Sequence, residues 1–303
     1  MSKIEDALKK AQIVRPTRGA GQSLAPGRQL ARTQSSQIAG LESRAHVRDE
    51  IARMADPELI GGQELAENKI IFPDMRDSRI VDAFRELRTK IIQKGGSGNL
   101  VLLVTAVSEG NGGTFVARNL AASFAFDESK TALLVDCNLR NSSPFREGAQ
   151  EMSRGLTDYL ESEDMSVDKI IYPVGIPRLR LIPSGARREI PTEYFTSLKM
   201  KQLLDSLKQR YAERYVILDA PAITESADTR ILTELADYVL LVVPYGKVTQ
   251  AQISAAARAI GAQKLAGVVF NNRPRILGIS REMLSWKGLK QGVACLFGRR
   301  PDA

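Results

Sequence analysis

The run Val101-Leu-Leu-Val-Thr-Ala-Val-Ser-Glu-Gly-Asn-Gly-Gly-Thr-Phe115 constrains the fold more than any other stretch of the chain. Apolar, partly β-branched residues predict a strand, Ser108 to Thr114 a glycine-rich turn, and the alanine-rich pattern from Phe115 to Ala125 a helix. Strand, glycine loop and helix together make a phosphate cradle. Glycines let backbone N–H groups converge on an anion, and the helix start adds unpaired donors and the positive end of its dipole. A complete cradle of this type carries lysine immediately before the threonine, and here Gly113 precedes Thr114. Gly110, Gly112, Gly113 and Thr114 are therefore candidate nucleotide-binding residues in a loop without its principal cation. The alternative for the same residues is a tight strand-to-helix turn with no ligand.

Downstream, apolar strands alternate with amphipathic helices. Strands are expected at Thr131 to Asp136, Arg178 to Pro183, Tyr215 to Asp219, Tyr238 to Val243 and Leu265 to Asn271. Helices are expected at Ser78 to Lys94, Gly155 to Glu161, Ser166 to Tyr172, Pro191 to Arg210, Ala227 to Ala236 and Thr249 to Ile260. Continuous apolar strands interleaved with helices specify an α/β fold, a mainly parallel sheet with helices on both faces. Ligands of such sheets sit beyond the carboxyl ends of the strands, and Asp136, Asp219 and Asn271 all fall at that edge beside the glycine loop.

The rest of the chain sets limits. A net charge of +8 suits an acidic partner or simple solubility. Cys137 and Cys295 form no metal-binding or disulfide pattern, and His46, the only histidine, gives no basis for histidine acid–base catalysis. Residues 1–12 carry a capping box and one apolar face, a short amphipathic helix suited to docking or fraying. Residues 13–76 read as a mostly disordered linker, 77–273 as the folded domain, and 274–303 as a basic, amphipathic tail. A cytoplasmic location is expected from the cysteine usage, and with neither a signal peptide nor a membrane-spanning run evident, any membrane contact is expected to be peripheral, at the inner membrane.

In order along the chain, Ala117-Arg-Asn-Leu-Ala-Ala122, Leu133-Leu-Val-Asp136-Cys-Asn138-Leu-Arg140, Val216-Ile-Leu-Asp219-Ala-Pro221 and Gly267-Val-Val-Phe-Asn271 resemble the bacterial tyrosine kinases (BY-kinases) of capsule and exopolysaccharide synthesis. That family belongs to the deviant-Walker P-loop ATPases. The resemblance implies Thr114, Asp136 and Asp219 as Mg²⁺ ligands, Gly110, Gly112, Gly113, Thr114 and Asn271 as nucleotide contacts, and Asp136 and Asp219 as the catalytic pair if the chain is active. It also implies Asp82, Arg85 and Arg88, in a Glu-x-x-Arg-x-x-Arg-like pattern, as an oligomerisation face, and a membrane-bound polysaccharide chain-length or export protein as partner. No nucleic-acid partner is expected.

The departures point away from catalysis. Gly113 replaces the loop lysine, Glu109 the loop proline, and Asn138 the second aspartate of the Asp-x-Asp motif; no tyrosine follows Tyr245, where the family carries its acceptor cluster. ATP and Mg²⁺ are thus expected to bind weakly or not at all. The expected function is that of a catalytically degenerate, regulatory or scaffolding relative, with an active autokinase or a Min/Par-type ATPase as alternatives.

Overall fold

The computed structural model describes residues 59–96, 98–145, 152–209 and 214–272. Helices α1 (Gly62–Glu67) and α2 (Ser78–Gly95) precede β1 (Leu100–Ala106), which leads into α3 (Gly113–Ala125) and β2 (Thr131–Asp136). Then follow α4 (Leu156–Glu161), a 3₁₀ turn (Val167–Ile170), β3 (Tyr172–Pro173) and β4 (Leu179–Ile182). The remaining elements are α5 (Thr192–Thr196), α6 (Leu198–Gln209), β5 (Arg214–Asp219), α7 (Ala227–Leu235), β6 (Tyr238–Pro244), α8 (Gln250–Ile260) and β7 (Leu265–Asn271).

The sheet runs β3-β4-β2-β5-β1-β6-β7, parallel throughout except for the short β3–β4 pair. Every residue of β1 is buried, and the strand divides its side chains between two cores. Leu100, Leu102, Val104 and Ala106 pack with α2 and α3, while Val101 and Leu103 pack with α6, α7 and α8. This is why the strand reads as a continuous apolar run: both faces are covered. Leu103 and Leu120 are fully buried, and truncating either to alanine is worth about 2–5 kcal/mol.

Three expectations are corrected. The described end of the expected linker, residues 59–76, packs onto the domain: Leu65, Ile70 and Ile71 are buried. Asn119 on α3 explains the attachment, accepting from Ile71 N at 2.7 Å and donating to Lys69 O at 3.0 Å. Six residues of helix are too few to show periodicity, so the sequence concealed this segment. The expected helix at Ser166 to Tyr172 is instead the 3₁₀ turn and the start of β3. The long helix from Pro191 breaks at Ser197, which is extended; its hydroxyl donates to Tyr194 O at 2.7 Å and accepts from Met200 N at 3.1 Å, closing one helix and capping the next. The expected elements at residues 1–12 and 274–303 lie outside the described residues, as does the linker before residue 59. Among the described residues no helix is long and apolar enough to cross a membrane.

Candidate functional site

The glycine loop joins β1 to α3 at the carboxyl edge of the sheet. Gly110 (φ +69°) and Gly112 (φ +86°) take left-handed conformations that other residues adopt only under strain. Asn271, at the end of β7, lies across the loop and donates to Asn111 O at 3.1 Å. A Cβ on Gly112 would stand 2.1 Å from Asn271 Nδ2, so glycine is what permits this crossing. Asn111 in turn donates through its side chain to the Ser108 hydroxyl. The loop amide of Glu109 donates to the Glu225 carboxylate at 3.2 and 3.3 Å, so a carboxylate of the chain's own already sits on one donor of the cradle. Gly113 opens α3 with ordinary clearance: the nearest atoms to a Cβ there would be Ala106 Cβ and N, at 3.5 Å, and Thr105 C, at 4.0 Å.

Beside the loop, strand pairing sets the acids next to one another. β2 and β5 align with Asp136 opposite Asp219, and β1 aligns Val104 with Asp219. Asp136 accepts from Ser142 Oγ at 2.5 Å and from Asn138 N at 2.9 Å; burial nevertheless raises its carboxyl above the ordinary range. Asp219 is 5% exposed, and its Oδ1 has no hydrogen-bond partner among the described residues. Burial, then the like charge of Asp136, push this carboxyl up to about 7 against the opposing effects of a hydrogen bond from Thr114 and the charge of Arg118. An orphaned buried carboxylate oxygen, a second carboxylate and a hydroxyl are the hard oxygen donors that Mg²⁺ takes, so these residues fit a divalent cation. Among the described residues no cluster of three or more His, Cys, Asp or Glu side chains offers a fuller set.

Arg118, on α3, was missed as a functional residue. It lines a pocket of about 320 Å³ with Asp136, Ser142, Phe145, Ser184 and Asp219. Its guanidinium donates to Ser143 O at 2.8 Å and Ser143 Oγ at 2.7 Å. The signal was present: Arg118 follows Thr114 by four residues and so shares its helix face. Glu225 was missed as well, and its pairing with a residue more than a hundred positions away leaves no local trace. Of three further cations near these motifs in the sequence, two are engaged with other groups. Arg140 pairs with buried Asp228 at 3.2 Å, and Lys130 lies over the Tyr215 ring at the start of β2, the opposite edge of the sheet. Lys247 is exposed, beyond the end of β6. Cys137 is buried, and burial pushes its thiol well up, which leaves it inert.

On α2, Asp82 and Arg85 are exposed and 3.7 Å apart. Arg88 departs from the expected face: it turns inward and donates to Ser123 O at 2.5 Å, tying α2 to the end of α3. On its apolar side Val81, Phe84 and Ile91 are buried while Ile80 and Leu87 are only partly covered.

A mainly parallel sheet with a glycine loop between the interior strand β1 and α3, and aspartates ending β2 and β5, defines a P-loop NTPase domain. The chain belongs to the BY-kinase family: it is 31% identical over 193 residues to the tyrosine-protein kinase CpsD of Streptococcus agalactiae, covering 62% of this chain and 80% of that one. It is also 29% identical over 198 residues to the EpsB protein of Ralstonia nicotianae, a match to 64% of this chain but only 26% of that relative's length. Among solved structures, the kinase domain of the Escherichia coli tyrosine kinase ETK shares the fold, with a TM-score of 0.60 and 21% identity over 74% of this chain and 90% of that one. No protein-family model matches the chain.

Proposed function

We propose that this protein is a catalytically degenerate BY-kinase that acts as a regulatory or scaffolding component of exopolysaccharide synthesis or export. One observation carries the reading: Gly113 stands at the start of α3, where the cradle needs a cation, although the backbone leaves ordinary room for a side chain there. Phosphoryl transfer depends on positioning and on positive charge aimed at the transferred group. Without that charge the reaction lacks its main electrostatic support, and the Glu225 carboxylate on the loop amide further disfavours a phosphate. Thr114, Asp136 and Asp219 would hold Mg²⁺ if a nucleotide enters, and Gly110, Gly112, Gly113 and Asn271 would form its cradle. When bound, Mg²⁺ supplies charge neutralisation at the phosphates. The retained acids keep one rival alive, an active autokinase with a relocated cation.

In this role the chain works at the cytoplasmic face of the inner membrane, with a membrane-bound chain-length or export protein as partner. Self-association runs through the α2 face at Asp82 and Arg85. A scaffold needs its surfaces and not its chemistry. In a strain lacking this gene, an Asp136→Ala allele is therefore expected to restore polymer production as well as wild type does; polymer lost with Asp136→Ala while the protein remains folded and abundant would overturn the scaffold.

A further inference from the structure

Arg118 sits one helical turn beyond Thr114 on α3, and it borders the same pocket as both acids. Consecutive serines hold the opposite charges in place: Ser142 donates to Asp136 at 2.5 Å, and Ser143 receives two hydrogen bonds from Arg118. The guanidinium also lies 5.7 Å from the Phe145 ring centroid, with Nη1 3.5 Å from Phe145 O. These contacts fix it from the pocket's outer wall, while its charge acts on Asp136 and Asp219 from within. We propose that Arg118 is a tethered cation for the Asp136–Asp219 pair, which lowers the site's affinity for a divalent ion. The proposal rests on the assignment, made above, of Asp136 and Asp219 as the cation-binding acids of the cradle.

Two carboxylates side by side attract a dication, and the orphaned Asp219 oxygen shows that the hydrogen bonds to the pair leave it incompletely compensated. A fixed positive charge within the pocket cancels part of that attraction and also repels the incoming ion. Arginine is suited to this because it does not lose its proton to make way, as lysine can when buried. The bonds to Ser143 prevent the guanidinium from swinging clear unless the loop after β2 opens with it.

The test is a titration of Mn²⁺ into the full chain without nucleotide, with free Mn²⁺ counted by electron paramagnetic resonance and a thermal melt run on each form. Wild type is expected to bind weakly, Arg118→Met and Arg118→Gln at least tenfold more tightly, and Arg118→Lys like wild type. Glutamine retains a hydrogen bond to Ser143, so it carries the test if the methionine form fails to fold. Neutral variants that bind Mn²⁺ no better than wild type would overturn the proposal. So would an absence of binding in all forms, or a lysine variant that behaves like methionine. Phosphotransfer by the wild type would refute the scaffold reading but would leave this pattern of Mn²⁺ affinities unchanged.

Discussion

Replacing Asp219 by asparagine should make the protein more stable, and increasingly so as the pH rises. The buried Asp219 carboxyl is held at about 7 rather than the ordinary 3.8, by burial first and by Asp136 second. A folded-state value above the unfolded one means that the native chain binds the proton more tightly. The group's contribution is thus fully present below about pH 4 and is lost as the pH climbs through about 7. A rise from 3.8 to about 7 corresponds to about 4 kcal/mol at about 1.4 kcal/mol per pH unit, a ceiling that proton sharing with Asp136 spreads over a wider range. Asparagine cannot ionise but still offers an oxygen to Thr114. In melts from pH 4 to pH 9, the variant's advantage in melting temperature should widen up to about pH 7 and then level off, at no more than roughly 10 °C for a domain of this size. A difference independent of pH, or a variant less stable than wild type at pH 8, would refute the reasoning.

Gly113→Lys should leave the melting temperature nearly unchanged, because its Cβ meets only ordinary contacts, and should raise ATP affinity at least tenfold by calorimetry. Gly155→Ala should be severely destabilising, on the order of 3 kcal/mol or more in denaturant melts, since its Cβ would lie 2.2 Å from Gly185 N and 2.4 Å from Pro183 O, all rigid backbone. Arg85→Glu should dissociate any wild-type oligomer in light scattering without altering the melt, whereas Arg88→Glu should cost about 1–3 kcal/mol of stability through its lost bond to Ser123 O. An oligomer unmoved by Arg85→Glu would remove α2 as the interface.

The strands were legible because burial on both faces writes an uninterrupted apolar run, as in β1, and the acids were legible because they end such runs. What the sequence withheld was the order of strands. Asp136 and Asp219 are eighty-three positions apart, and only the insertion of β5 between β1 and β2 makes them neighbours. The same limit hid Glu225 on the Glu109 amide and Asn119 beneath Ile71, both long-range hydrogen bonds without a periodic signature. Arg88 was misplaced for a different reason. Spacing put it with Asp82 and Arg85, but a long side chain can lie along its helix and reach a free carbonyl at the end of the next one. Ser197 broke a helix whose apolar period continued on both sides, because its hydroxyl serves the two helix ends at once.

The account stands or falls on whether the chain transfers phosphate to tyrosine. Purified protein incubated with Mg²⁺ and γ-labelled ATP, then analysed for phosphotyrosine beside Asp136→Ala and Gly113→Lys forms, puts that to the test. The account predicts no phosphotyrosine on wild type above the Asp136→Ala background. Labelled tyrosine on wild type that disappears in Asp136→Ala would contradict it and would make this an active kinase with a relocated cation.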